Sequence, residues 1–106
     1  MDKAKKDRLA AAGWRIGDAA EFLELSAEET AFIELKLALA DYLREIRTQR
    51  GWTQSQVARR LGSSQSRVAK MEAADASVSL DLLVKSLLAL GASRGEVGAV
   101  IAAKAA

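Results

Sequence analysis

Residues 53–72, with the sequence TQSQVARRLGSSQSRVAKME, constrain the fold of this chain more than any other stretch. Two short helical segments flank Gly62, which can adopt the positive φ angle that a tight turn requires. Ala58 is small enough for a second helix to cross closely, and Val68 is a branched apolar residue that can pack beneath the first helix. The spacing of these three residues predicts two helices that cross at a fixed angle and expose one face of the second.

The exposed face of the second predicted helix carries side chains that suit DNA. These side chains are Gln65, Ser66, Arg67 and Lys70. A glutamine can form two hydrogen bonds with adenine, and arginine or lysine can bind guanine or a phosphate. The stretch therefore predicts DNA binding that reads base sequence.

Helix-capping residues mark the starts of the predicted helices. Thr53 with Gln56 has the pattern of a capping box, and Ser64 can cap the following helix. The same signals, with glycines at the helix ends, predict further helices over residues 26–50, 80–90 and from 93 toward the C-terminus. Apolar residues recur along the first of these at helical spacing, from Phe32 to Ile46. With no proline in the chain, the prediction is an all-α fold.

Composition excludes several function classes. The chain has no cysteine and no histidine, so it lacks the thiolate nucleophile, the commonest general base and the commonest transition-metal ligands. We expect neither an enzyme nor a cofactor or metal site. No apolar run approaches the roughly 20 residues of a membrane span, and residues 1–12 lack the apolar core of a signal peptide. The expected location is the cytoplasm.

Charge is unevenly distributed, although the net charge is only +2. Residues 44–72 contain seven basic and two acidic residues, whereas residues 18–36 contain six acidic residues and one lysine. A basic half next to an acidic half indicates two different partners. The alternative for the acidic half is a solvated helix face.

Residues 43–90 resemble the Xre/lambda-repressor family of DNA-binding domains. The resemblance rests on LREIRTQRGWTQSQVARRLGSSQSRVAKMEA, followed by SLDLLVKSLLALG. It implies a five-helix, lambda-repressor-like helix-turn-helix domain with Gln65, Ser66 and Lys70 in the major groove. It also implies that Gln54 faces a phosphate and that Arg47 pairs with Glu72. The predicted DNA-binding residues are Thr53, Gln54, Ser64, Gln65, Ser66, Arg67 and Lys70.

Several of these residues, and some nearby ones, have a purely structural alternative. The primary role expected of Ser64 is that of a helix cap, and phosphate binding is secondary. Ser66 can likewise act only as a capping residue, without a contact to DNA. Arg59 and Arg60 suit either phosphate contact or solvent, as do Arg44 and Arg50. The two tryptophans are expected to pack rather than to stack on bases.

The segment AAGWRIGDAAEFLELSAEETAFIELKLALA resembles the N-terminal extension of HigA-type antitoxins. That resemblance implies a RelE/HigB-like RNase toxin as a partner, and a chain that represses its own operon. We therefore divide the chain into an extension, residues 1–29, and a DNA-binding domain, residues 30–106. The alternative is that the apolar residues of the extension close a homodimer or enlarge the core.

Two copies on one DNA are expected in either case. Two recognition helices about 34 Å apart match the half-sites of a palindromic operator. The rival functions are a stand-alone Xre-family regulator without a toxin and a protein–protein adaptor that uses the helices as a scaffold. We expect five closely packed helices to leave no cavity for a small-molecule effector.

Overall fold

The computed structural model describes residues 26–103 of the chain. Backbone contacts divide the chain into two units, Met1–Leu35 and Lys36–Ala106. The predictions for residues 1–25, including the packing role of Trp14, lie outside the described residues. The boundary drawn between residues 29 and 30 stays a prediction.

Five α-helices and no strands occur in residues 26–103. The helices are α1 (Ala27–Gln49), α2 (Gln54–Leu61), α3 (Gln65–Glu72), α4 (Leu80–Ala89) and α5 (Arg94–Ala102). The predicted all-α, five-helix fold is confirmed, and each predicted helix begins and ends within a few residues of its expected bounds. No helix among these residues has both the length and the apolar character that a membrane crossing requires.

The residues predicted to cap the helices form capping hydrogen bonds in the structure. The Ser26 hydroxyl accepts the Glu29 N–H at 3.1 Å, and Glu29 Oε1 accepts the Ser26 N–H at 3.2 Å. Ser79 caps α4, and Ser93 forms a second reciprocal pair with Glu96 at the start of α5. Each cap satisfies backbone N–H groups that have no partner within the first turn, typically for about 1 kcal/mol.

The core of residues 36–103 is built from large apolar side chains of the first four helices. The fully buried ones are Leu39, Leu43, Val57, Val68, Met71, Leu83 and Leu87. Burial of each such side chain contributes roughly 1.5–3 kcal/mol, so this cluster holds α2 and α3 against α1 and α4. In α1 the predicted apolar stripe is buried at Leu43 and Ile46, whereas Phe32 is 49% exposed.

Two arginines whose role the sequence left open pack on Trp52. The guanidinium of Arg60 lies 4.0 Å from the centre of the indole, and that of Arg50 lies 5.0 Å from it. Arg50 Nη1 also donates to the carbonyl oxygen of Leu90, at 2.6 Å, where α4 ends. Trp52 itself packs against the core. These contacts join the ends of α1 and α4 and give both arginines a structural role.

Candidate nucleic-acid interface

The turn between α2 and α3 has the geometry that its sequence predicts. Gly62 is left-handed, with φ 64° and ψ 36°, and the next residue, Ser63, donates its N–H to the carbonyl of Ala58 at 2.8 Å. Ala58 and Val68 are both buried, at 4% and 0% exposure. Small, left-handed and branched residues at these positions therefore fix how α3 lies on α2.

The hydroxyl groups of Thr53 and Ser64 are engaged as helix caps. Thr53 Oγ1 accepts the N–H of Gln56 at 3.1 Å, while the Gln56 side chain accepts the N–H of Thr53 at 2.8 Å. Ser64 Oγ accepts the N–H of Arg67 at 3.2 Å. Because each hydroxyl acts as an acceptor in its cap, its own proton can still be donated to a phosphate oxygen.

An ion pair ties α1 to α3, as the family resemblance implied. Arg47 donates from Nε to Glu72 Oε2 at 2.5 Å and from Nη2 to Oε1 at 3.0 Å. The side chains are only 17% and 6% exposed, respectively. The hydrogen bond to Glu72 is the main cause of a raised pKa for Arg47. Arg47 Nη1 also donates to the carbonyl of Trp52 at 3.1 Å, so the pair anchors the start of α2 as well.

The ion pair continues into a chain of amide side chains that ends at the surface. Gln54 Nε2 donates to Glu72 Oε1 at 3.3 Å, and Gln65 Nε2 donates to Gln54 Oε1 at 2.6 Å. Residue spacing alone does not predict this link, although Gln54 and Gln65 each occupy the first position of their helix. We refer to Arg47, Glu72, Gln54 and Gln65 as the polar chain.

The polar chain leaves Gln65 capable of reading a base. Its amide has two N–H groups and one oxygen, and only one N–H is used in the bond to Gln54. The other N–H and the oxygen suffice for the two hydrogen bonds that adenine offers in the major groove. The negative charge of Glu72, which would otherwise repel phosphate, is compensated by Arg47.

Ser66, Arg67 and Lys70 are exposed on α3, as predicted. Together with Ser64 and with Ser77 of the α3–α4 loop, they line one groove of about 330 Å³. Within the part of the chain that the structure describes, no ion pair holds the side chain of Arg67 or Lys70. The groove thus combines two cations with the hydroxyl groups of Ser64 and Ser66, a set that suits phosphate oxygens and base edges. The Ser77 hydroxyl already donates to Asp75 Oδ2.

The seven predicted DNA-binding residues all lie on α2, α3 or the residues that cap them. Gln54 and Gln65 are joined directly, whereas Arg67 lies on the flank of α3 nearest to α4. Residues 26–103 contain no group of acidic side chains arranged to hold a metal ion.

Comparison with known proteins identifies this arrangement. The model of the family described as Helix-turn-helix matches residues 43–97, which is more than half of the chain. The match covers the C-terminal end of α1, all of α2, α3 and α4, and the start of α5. It fits the lambda-repressor-like arrangement of the helices. No curated protein and no solved structure matches the chain.

Proposed function

The chain belongs to the helix-turn-helix family of DNA-binding transcriptional regulators, and from this premise we propose that it is a sequence-specific repressor whose α3 reads base edges in the major groove. The polar chain carries the proposal. It holds Gln65 by a 2.6 Å bond to Gln54, itself bonded to the ion pair of Glu72 and Arg47. A glutamine so held loses less side-chain entropy when it meets a base than a mobile one does.

The remaining residues divide between bases and phosphates. Ser66 and Lys70 lie on the outward face of α3, and we assign them, together with Gln65, to base edges in the major groove of the DNA. Thr53, Gln54 and Ser64 lie at helix N-termini, where backbone N–H groups attract phosphate oxygens. Arg67, on the flank of α3, is assigned to a phosphate.

Selection of bound fragments from the source genome tests the proposal. We expect recovered fragments to share one short motif, and the affinity for that motif to fall steeply with salt as phosphate contacts release counterions. If the recovered fragments share no motif and bind no more tightly than random DNA, the proposal that α3 reads bases would be contradicted.

We propose that two copies bind one palindromic site. A single domain of this type buries only about 600–1,000 Å² on DNA, so paired half-sites about 34 Å apart supply the missing affinity. Fragments with an inverted repeat, together with a dimer mass in sedimentation on the repeat, are the expected result. A monomer bound to a single asymmetric site would contradict it.

A second candidate function is that of an antitoxin that represses its own operon. It is favoured by Phe32, 49% exposed in a stretch of α1 that also exposes Glu28 and Glu29. An apolar anchor among carboxylates suits a basic partner such as a RelE/HigB-like toxin. The test is whether Phe32→Ala abolishes protection from the product of an adjacent small basic reading frame while operator binding persists.

The alternative to the antitoxin is a stand-alone Xre-family regulator without a toxin partner. Genomic context separates the two, because the antitoxin requires the adjacent reading frame. A protein–protein adaptor is distinguished by Gln65→Ala combined with Lys70→Ala, which would leave an adaptor's activity intact. We expect that double variant to lose operator binding instead.

A further inference from the structure

A cleft of about 410 Å³ opens on the side of α3 that faces α4, next to the α2–α3 turn. Gly62 lines this cleft, and a Cβ atom placed there would meet no atom within 4 Å. The cleft is a groove open to solvent and not an enclosed cavity, so the expectation that five packed helices leave no cavity stays a prediction. The volume lies within the range of roughly 300–1,000 Å³ that is typical of small-molecule sites.

The walls of the cleft are partly apolar and partly polar. Leu61, Met71 and Leu82 line it, and Met71 is 1% exposed. Ser86, 5% exposed, also lines the cleft and donates its hydroxyl proton to the sulfur of Met71 at 3.5 Å. A thioether is a weak acceptor. The apolar part of the walls can accept an apolar ligand body.

Two cations line the same cleft, Arg67 from α3 and Lys85 from α4. Lys85 also pairs with Asp81 at 3.0 Å, although both side chains are 73% exposed and the pair is weak. Two positive charges and one negative charge leave one positive charge in excess. A single carboxylate compensates this excess, and a guanidinium can bind it through two parallel N–H donors.

We propose that the cleft binds a small amphiphilic carboxylate, with its apolar body against Leu61, Met71 and Leu82 and its carboxylate between Arg67 and Lys85. Arg67 is also one of the proposed phosphate contacts, so ligand and DNA compete for one guanidinium. Bound ligand therefore lowers operator affinity. The regulatory half of this proposal rests on the proposed function, whereas binding to the cleft does not.

Octanoate is the probe for binding, followed by amide chemical shifts in the full chain without DNA. We expect saturable shifts at Leu82, Ser86 and Ala89 at millimolar octanoate, and none with acetate, which lacks the apolar body, or with octanol, which lacks the charge. Ala89→Leu narrows the cleft and should abolish the shifts. Lys85→Gln should weaken binding, whereas Arg94→Gln, a charge loss on α5 away from the cleft, should not. Absence of shifts, equal shifts with acetate, or unchanged binding by Ala89→Leu would each overturn the cleft as a site.

The effect on DNA is read as the ratio of operator affinities without and with saturating octanoate. We expect a ratio of about fivefold or more for the unaltered chain, within the usual range of coupling between sites, and a ratio near one for Ala89→Leu. Octanoate that fills the cleft without changing operator affinity would refute the competition. A chain that binds no DNA at all would instead refute the proposed function. The octanoate titration without DNA would still show whether the cleft binds the ligand.

Discussion

Gln65 is exposed at the first turn of α3, yet its side chain is held in place by a hydrogen bond. The acceptor is Gln54 Oε1, at 2.6 Å, and Gln54 in turn donates to Glu72, which is paired with Arg47. Since a partly buried ion pair anchors this polar chain, contacts within the domain set the direction of the Gln65 amide. Under the proposed function, base reading by Gln65 would therefore depend on residues that touch no base.

Removal of the Gln65 side chain should weaken discrimination at one base pair. For Gln65→Ala we expect a loss of about 1–3 kcal/mol on the selected operator and little change on random DNA. Gln54→Ala should weaken binding to both, because it removes a phosphate contact and loosens Gln65 as well. Fluorescence anisotropy with the two DNAs measures these losses, with Ser55→Ala, an exposed change on α2, as the control.

The double variant tests whether the two glutamines act as a unit. Coupled residues are non-additive, so the combined loss for Gln54→Ala with Gln65→Ala should be smaller than the sum of the single losses by about 0.5–3 kcal/mol. Additive losses would mean that the bond between the two amides is irrelevant to DNA binding.

At the scale of elements, α2 and α3 are each eight residues long and owe their orientation to the turn between them. Helices this short are marginal in isolation, so packing and caps supply their stability. The turn depends on Gly62, whose φ of 64° is unfavourable for a residue with a Cβ atom. The turn therefore needs glycine at this position, while Ala58 and Val68 set how closely α3 packs on α2.

Gly62→Ala should lower the free energy of unfolding by about 1–2 kcal/mol, because an L side chain is disfavoured at this φ even where space is open. Gly98→Ala is the matched control. Gly98 lies within α5 with no atom near its missing Cβ, so alanine there should raise the free energy of unfolding by roughly 0.5–1 kcal/mol. Urea unfolding measures both, and changes of the same sign would contradict the backbone argument.

The ion pair between α1 and α3 should contribute more to stability than the pair on the surface of α4. Glu72→Gln leaves the guanidinium of Arg47, 17% exposed, without a counter-charge, and we expect a loss of about 3 kcal/mol in urea unfolding. Asp81→Asn breaks the exposed pair with Lys85 and should cost less than about 1 kcal/mol. Equal losses would mean that burial of the first pair is unimportant.

At the scale of the whole molecule, long-range polar contacts join the ends of helices that are distant in sequence. Arg50 reaches the end of α4 through Leu90, and Lys36 Nζ donates to the carbonyl of Asp75 at 2.8 Å in the α3–α4 loop. Tyr42 of α1 donates its hydroxyl to Glu96 Oε2 of α5 at 3.5 Å. These bonds tie α1 to the α3–α4 loop, to the end of α4 and to α5.

Glu96 makes stability depend on acid pH. Its hydrogen bonds to Ser93, chiefly the backbone N–H at the start of α5, lower its pKa below the ordinary 4.5. A lowered folded-state pKa means that the contribution is fully present above pH 4.5 and is lost as pH falls through the folded value. We expect unfolding free energy to decline over that range, and to decline less for Glu96→Gln, which can keep the capping box without titrating.

Residue type and spacing are enough to predict the local structure of residues 26–103. Caps such as Thr53, Ser64 and Ser93, and the turn at Gly62, involve groups within four residues of each other, so their geometry follows from residue type and spacing. The burial of Ala58 and Val68 also followed from spacing, because a helix places its side chains on predictable faces. The match to the helix-turn-helix family spans all of these residues.

Tertiary structure alone decided what the surface arginines and glutamines do. Arg50 and Arg60 were equally suited to DNA or solvent by sequence, but the folded chain places both on Trp52. Likewise, the Gln54–Gln65 bond and the cleft beside Arg67 depend on the distances between helices, within tenths of an ångström for a hydrogen bond. Long polar side chains have many rotamers, and only the packed neighbours select one of them.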